Sequence, residues 1–205
     1  MAQYYTSVDL SSALSVGAAT KDNKVYIAAL DAPLIIQTPP VTLASQLHHD
    51  SVFAHLSVPD QFHAFLTSVE TALLDAVVSR KTEVLGGRAV SDETLRANHK
   101  SFLVGESEDH DVPKALKVRV SDALEVFDSS KQAVGIEDAC EGCRVRCVLE
   151  LSRVCFGRAE WGGMWRLTQV QVCSKECLIV DEADGTEPGD SEDREDLADA
   201  VDDYM

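Results

Sequence analysis

The chain has 205 residues, of which 45% are hydrophobic, so it can bury a real core and is too apolar to be disordered throughout. Its net charge of −17 is concentrated in residues 181–205, which hold twelve acidic residues and one arginine. No apolar run approaches the roughly 20 residues that span a bilayer, and the first residues lack the basic start and apolar stretch of a secretory signal. We therefore expect an intracellular protein that is neither secreted nor bound to a membrane.

The first predicted elements are short strands. Residues 24–30 and 34–38 are rich in β-branched and aromatic side chains, and Asp31-Ala32-Pro33 separates them in the manner of a turn. Residues 52–58 fit a third strand. The sequence thus predicts strand, turn and strand, with another strand to follow.

One helix is predicted next. Apolar side chains from Phe62 to Val77 recur at three- and four-residue spacing, with Asp60 placed as the N-cap and Gly86-Gly87 as the latest end. Residues 88–113 then turn polar, and we expect a long surface loop in which only residues 100–104 form a strand.

The chain after residue 113 alternates strongly between apolar and polar side chains. This alternation marks residues 116–120, 144–151 and 166–172 as strands, and residues 124–127 fit a shorter one. The Trp-Gly-Gly-Met-Trp run at 161–165 is interpreted as a glycine hinge between two indoles. About seven strands and one helix predict a mainly β fold, either a small β-barrel or a strongly bent sheet with a helical insertion.

Two regions of the chain differ in their capacity to fold. Residues 1–180 are predicted to form one β-barrel domain. Residues 181–205 are too acidic and too poor in apolar side chains to bury a core, which predicts a disordered acidic tail.

The order of these features resembles a known family. The stretches that carry the likeness are LIIQTPP, the helix, ALKVRV, LEVFD, VRCVLELSRVCF and WGGMWRLTQVQV, followed by the acidic tail. The chain resembles the OB-fold single-stranded DNA-binding proteins of large DNA viruses, which are similar in plan to phage proteins with an acidic C-terminal tail. The likeness covers roughly residues 24–205 and is one of order and patterning.

This resemblance implies an OB-like barrel, a basic and aromatic groove for single-stranded DNA, and no cofactor. It also implies an acidic tail that competes for the groove and recruits replication proteins. The partner-binding residues would be Asp202, Asp203 and Tyr204 near the end of the chain. If the protein is viral, we expect it in the host nucleus or in a cytoplasmic virus factory. A homodimer is compatible with the sequence.

The candidate DNA-binding residues are basic and aromatic, because single-strand binding without sequence preference needs phosphate neutralisation and flat surfaces for base stacking. They are Lys117, Arg119, Arg144, Arg146, Arg153, Arg158, Trp161, Trp165 and Arg166. Tyr26 and Phe102 are further candidates for stacking. The alternative interpretation is that the arginines form a solvated sheet face and the tryptophans lie in the core.

The six cysteines are expected to be reduced thiols, because the chain shows no secretory signal. An alternative is a zinc site formed by Cys140, Cys143, Cys173 and Cys177. The three-residue gap in the second pair and the lack of a nearby histidine argue against it, so we predict no metal site.

No group of residues forms a recognisable nucleophile, acid–base pair or phosphate loop, so we predict no catalytic site and no enzyme. The leading hypothesis is a single-stranded DNA-binding protein that acts in viral DNA replication or recombination. The alternatives are a virion or assembly protein that acts only through protein contacts, and an enzyme whose site is dispersed along the chain.

Overall fold

The computed structural model describes residues 2–10, 14–22, 25–104 and 114–174. The strands of this part of the chain are β1 (Gln3–Tyr4), β2 (Thr20–Asp22), β3 (Val25–Gln37), β4 (Val41–Leu43), β5 (Phe53–Ser57), β6 (Leu103–Val104), β7 (Ala115–Phe127), β8 (Arg144–Phe156) and β9 (Trp161–Ser174). The helices are α1 (Asp60–Ser79), α2 (Lys81–Val84) and α3 (Asp92–Ala97). The predicted acidic tail, with Asp202, Asp203 and Tyr204, lies outside the described residues, as does Cys177.

Five strands close into a barrel in the order β4, β5, β7, β9, β8 and back to β4. Neighbouring strands are antiparallel except β7 and β9, which run parallel. Outside this ring, β3 extends the sheet along β8, and β6 pairs with one end of β7. The predicted mainly β fold with an OB-like barrel is therefore confirmed.

Side-chain alternation explains why these segments form the barrel wall. Leu116 and Val118 in β7, like Val145 and Leu149 in β8, are fully buried, while the basic side chains between them are exposed. Each strand thus removes one apolar row from water and leaves its polar row in solvent.

Helix α1 packs against the barrel through the predicted apolar stripe. Its buried residues are Phe62, Leu66, Val69, Leu73 and Val77, and they belong to the same core cluster as the barrel strands. By length and composition alone this helix could cross a membrane, but its apolar stripe is already covered by the barrel. The half-buried Glu70 carboxylate of this helix accepts hydrogen bonds from Ser101 Oγ and Phe102 N at 2.7 and 2.8 Å, which holds the chain just before β6 against α1.

Two predicted interruptions are wrong, the turn at residues 31–33 and the gap between the predicted strands 116–120 and 124–127, because both segments lie within long strands. Asp31-Ala32-Pro33 lies within β3, where a register shift between Ala29 and Leu34 accommodates the extra residues and the proline. Residues 121–123 likewise continue β7, which has its own register shift between Val120 and Glu125. Pairing with the long neighbouring strands overrides the local turn preference at both places.

The predicted N-cap and the predicted long loop also need correction. Pro59 occupies the N-cap position, and Asp60 is the first helical residue. The Asp60 carboxylate there interacts favourably with the helix dipole, but Asp60 is not the N-cap residue. Within the predicted loop, residues 92–97 form α3. Ser91 caps this helix, its Oγ accepting a hydrogen bond from Thr94 N at 3.1 Å.

The predicted glycine hinge is wrong as well, because Gly162 and Gly163 lie inside β9. A Cβ atom on Gly162 would meet the Lys100 carbonyl oxygen at 2.6 Å, and one on Gly163 would meet Leu73 Cδ2 at 2.8 Å. These glycines therefore let the chain before β6 and helix α1 approach the barrel closely.

Candidate nucleic-acid interface

The barrel has one face whose position suits an extended ligand. In OB-type barrels, oligonucleotides bind on the face of the second and third strands and on the loops that join strands 1–2 and 4–5. Here the second and third barrel strands are β5 and β7. The two corresponding loops are residues 44–52, between β4 and β5, and residues 157–160, between β8 and β9.

Strands β5 and β7 present an aromatic ring beside two cations, an arrangement we call the β5–β7 face. Phe53 lies opposite Arg119, and His55 lies opposite Lys117. The side chain of Phe53 is among the exposed large hydrophobics, with 43% of the residue accessible. Lys117 Nζ lies 4.4 Å from the centroid of its ring. The β5–β7 face thus combines an exposed π surface with positive charge, the two elements that bind single strands.

The cationic surface continues from β7 across β9 to β8. Arg166 in β9 lies opposite Arg119 on one side and opposite Glu150 on the other. A groove of about 330 Å³ runs along this row, and we call it the arginine groove. Its lining residues are Arg119, Val120, Ser121, Asp122, Ala123, Ser152, Arg153, Met164 and Arg166.

Glu150 partly neutralises the arginine groove. Its carboxylate accepts a hydrogen bond from Arg166 Nη2 at 2.6 Å. Burial raises the pKa of Glu150, but the hydrogen bonds from Arg166 and Ser152 and the charges of Arg166 and Arg153 outweigh it, so the pKa lies below its usual value. Glu150 is therefore ionised at neutral pH and holds Arg166 in place.

Three other cations of this surface have no such partner. Within the described part of the chain, Lys117, Arg119 and Arg153 have no carboxylate within ion-pair distance. Burial raises the pKa of the nearby Cys155 thiol, although the charges of Arg153 and Arg119 oppose this effect. That thiol stays protonated, so it does not neutralise the arginines.

Both tryptophans lie in the hydrophobic core. Trp165 has no accessible surface, and its ring meets the edge of Phe102 with the centroids 6.0 Å apart. Trp161 stacks on Phe156 at 5.5 Å and donates its Nε1–H to the Leu95 carbonyl oxygen at 2.7 Å. Neither indole offers a face to a base in this structure, because the ring contacts and burial are those of packing residues. Phe102, the weaker stacking candidate, is also buried.

Arg158 and Tyr26 belong to a second surface. They line a pocket of about 530 Å³ between the β8–β9 loop and the segment from Leu85 to Asn98. The guanidinium carbon of Arg88 lies 4.3 Å from the centroid of the Tyr26 ring. A cation of the protein itself therefore already covers that ring.

Arg144 and Arg146 lie near the opposite end of β8. Arg146 lines a separate pocket with Phe127 and Lys131, whereas Arg144 pairs with the last residue of β9. Arg153 follows Arg146 by seven positions in β8, which corresponds to roughly 23 Å. Of the nine predicted binding residues, Lys117, Arg119, Arg153 and Arg166 therefore lie together, three arginines lie on other surfaces, and the two tryptophans lie in the core.

Sequence reasoning did not select Phe53. The signal was present, because Phe53 and His55 alternate with Ala54 and Leu56, and only the latter two are buried. What the alternation could not show is that β5 pairs with the basic strand β7, more than 60 residues further along the chain.

The described residues hold no group of three or more His, Cys, Asp or Glu side chains that could bind a metal ion. Cys140 and Cys143 are adjacent to each other. Cys177 lies outside the described residues, so the alternative four-cysteine zinc site remains untested.

Comparison with known proteins gives one family and several similar folds. The sequence profile of a family described as "Family of unknown function (DUF5871)" matches residues 45–182. No curated protein sequence matches the chain. Solved structures of the single-stranded DNA-binding protein from bacteriophage Enc34 are similar in fold. The complex with ssDNA has a TM-score of 0.50 at 12% identity and covers 78% of this chain and 96% of that chain. Another structure of the same protein has a TM-score of 0.49 at 12% identity, covering 78% and 90%.

Proposed function

The chain belongs to the DUF5871 family, whose function is unknown, and we propose that it binds single-stranded DNA without strong sequence preference. The binding surface is the β5–β7 face together with the arginine groove. One observation carries the proposal: on the second and third strands of an OB-like barrel, the exposed ring of Phe53 lies against Lys117, and Phe53 lies opposite Arg119.

The arrangement fits a single strand better than a duplex. Bases that are not paired expose their faces, and Phe53 supplies a flat surface of matching size. Lys117, Arg119 and Arg153 supply positive charge for the phosphates, and arginine can also stack its guanidinium plane on a base. The single-stranded DNA-binding protein from bacteriophage Enc34 has a similar fold in its complex with ssDNA, and this similarity supports the proposal of single-strand binding.

We further propose a role in viral DNA replication or recombination, with the acidic tail as a modulator. The tail carries eleven net negative charges, and tethering gives it a high effective concentration near the arginine groove. It would compete with phosphates for the same cations and recruit replication proteins through Asp202, Asp203 and Tyr204. The net negative charge of the whole chain is compatible with DNA binding, because the local charge of the groove governs the contact.

The test compares two double variants that each remove two exposed cations. Lys117→Ala/Arg119→Ala removes charge from the β5–β7 face, and Arg144→Ala/Arg146→Ala removes the same charge from the far end of β8. Binding of a labelled oligothymidine is measured by fluorescence anisotropy over a range of salt concentrations. Tryptophan quenching is not suitable, because both indoles are buried.

We expect the first double variant to bind more weakly, with a salt dependence flatter by about 0.7 log units for each phosphate that the protein no longer neutralises. The second double variant should keep a slope close to that of the unmodified protein. If both double variants bound oligothymidine equally weakly, that result would contradict the proposal that DNA binds at the β5–β7 face. Absence of binding by the unmodified chain and by a tail-deleted chain at low salt would reject DNA binding and favour a virion or assembly protein.

A further inference from the structure

Cys140 and Cys143 form a dithiol in the turn that precedes β8. Their Sγ atoms lie 2.8 Å apart. Cys143 is buried and Cys140 is partly accessible. We infer that this pair is a reversible thiol–disulfide site that reacts with low-molecular-weight disulfides. The inference does not depend on the proposed DNA binding.

The backbone already holds the pair in a suitable geometry. Cys143 N donates a hydrogen bond to the Cys140 carbonyl oxygen at 3.1 Å, which closes a β-turn around Glu141 and Gly142. A β-turn brings its first and last Cα atoms within about 7 Å, close to the range that a disulfide requires. Gly142 adopts a φ of 81°, which favours glycine at this position of the turn. Oxidation therefore needs side-chain rotation and no refolding.

The reaction is an exchange in two steps. The Cys140 thiolate attacks one sulfur of the small disulfide, which forms a mixed disulfide and releases one small thiolate. The Cys143 thiolate then attacks Cys140 Sγ and releases the second small thiolate. Two protein thiols are thereby oxidised to one disulfide, the small disulfide is reduced to two thiols, and the two leaving thiolates take up the two thiol protons of the protein.

Two other described cysteines, Cys147 and Cys155, are less suited to this exchange. Cys147 is fully buried in the barrel wall, and burial raises the pKa of its thiol far above the usual value. Burial also raises the pKa of Cys155. Since the thiolate is the attacking species, both residues should attack a small disulfide more slowly than Cys140, the accessible member of the pair.

The disulfide would act locally on the β4–β5 loop. Gly142 N donates to the Leu43 carbonyl oxygen at 2.8 Å, and Leu43 N donates to the Cys143 carbonyl oxygen at 3.0 Å. Leu47 N donates to the Ala139 carbonyl oxygen at 3.3 Å. Because the disulfide closes a very short loop, it constrains the unfolded chain little. Its main effect is to fix the turn against the start of the residue 44–52 loop.

The test uses the full chain, equilibrated in glutathione buffers from fully reducing to fully oxidising. Free thiols are trapped with acid, alkylated with iodoacetamide and located by peptide mass spectrometry. We expect Cys140 and Cys143 to escape alkylation together and to show the mass of an internal disulfide, under conditions in which Cys147 and Cys155 are still alkylated. Reduction with dithiothreitol before the trapping step should make both residues available for alkylation again.

Two variants distinguish the site from general thiol oxidation. Cys155→Ser should leave the transition unchanged, whereas Cys140→Ser should abolish the internal disulfide. A pair that stays alkylated even in glutathione disulfide alone would overturn the inference, as would a disulfide that joins either residue to another cysteine. Release of one zinc ion per chain by a mercurial reagent, with the pair protected until then, would also overturn it and identify a metal site.

Discussion

The side chain of Phe53 stays exposed although its neighbours in β5, Ala54 and Leu56, are fully buried. An exposed aromatic ring gives up hydrophobic stabilisation that burial would provide. Its contact with Lys117 covers only part of the ring. A ring in this position is therefore available to stack on a base.

Phe53→Ala should weaken binding of oligothymidine by about 1–3 kcal/mol, the usual contribution of one stacked base. The folding stability should change by no more than about 0.5 kcal/mol, because the ring contributes little to the core. Titration of labelled oligothymidine gives the affinity, and urea unfolding gives the stability.

Val52→Ala is the matched control, since Val52 is the adjacent exposed apolar residue but has no π face. This variant should bind like the unmodified protein. Unchanged binding by Phe53→Ala would remove Phe53 from the site, and equal weakening in both variants would indicate general apolar contact instead of stacking.

Trp165, in contrast to Phe53, is fully buried. Trp165→Ala should destabilise the fold by about 3–5 kcal/mol, because it leaves a large cavity beside Phe102. Trp165→Phe should cost less than about 1.5 kcal/mol, since it keeps an aromatic ring and removes an indole N–H that is buried without a partner among the described residues. Urea unfolding measures both changes.

The folded fraction of the Trp165→Phe protein should bind oligothymidine with normal affinity. A reduced affinity in a stably folded Trp165→Phe variant would show that the indole does reach the DNA, against its burial in this structure.

At the scale of elements, β9 depends on glycine for its position. Gly162→Ala should destabilise the protein by about 1–3 kcal/mol, because the new methyl group would meet a backbone carbonyl oxygen of Lys100 at 2.6 Å. The midpoint of thermal or urea unfolding measures the destabilisation.

Gly17→Ala is the control for this substitution. The nearest atom to a Cβ there is the Ala29 carbonyl oxygen at 3.4 Å, an ordinary contact. This variant should be neutral or slightly stabilised. If Gly162→Ala is equally well tolerated, the chain before β6 does not lie against β9 as described.

Element prediction succeeded where the pattern was local. Periodic apolar residues predicted α1, and strict alternation predicted the first part of β7 and of β8 with their basic rows outward. It failed at Asp31-Ala32-Pro33, where a local turn signal competes with pairing to the long strand β8. The length of a strand is decided partly by its neighbours, which local sequence does not reveal.

At the scale of the whole molecule, the distribution of charge governs how DNA approaches. Truncation after Val180 removes eleven net negative charges. It should tighten oligothymidine binding most at low salt, where the Debye length is about 30 Å at 0.01 M, and the gain should shrink as salt screens the tail. Anisotropy titrations of the full and truncated chains measure this gain.

A full-length control replaces the acidic residues of the tail with asparagine and glutamine. This chain should bind as tightly as the truncated one if charge, and not bulk, causes the competition. Equal affinities of the full and truncated proteins at every salt concentration would rule out competition by the tail.

The sequence by itself determined the class of fold and the exposure of the basic residues, because burial of an alternating strand depends on its own side chains. It also predicted a binding set of nine residues, of which Lys117, Arg119, Arg153 and Arg166 lie together in the structure. Only the tertiary structure decided that Arg144, Arg146 and Arg158 lie elsewhere, that both tryptophans are core residues, and that Phe53 is an exposed ring beside the basic residues of β7. The reason is physical: barrel closure sets the register between strands far apart in the chain, and that register determines which side chains become neighbours.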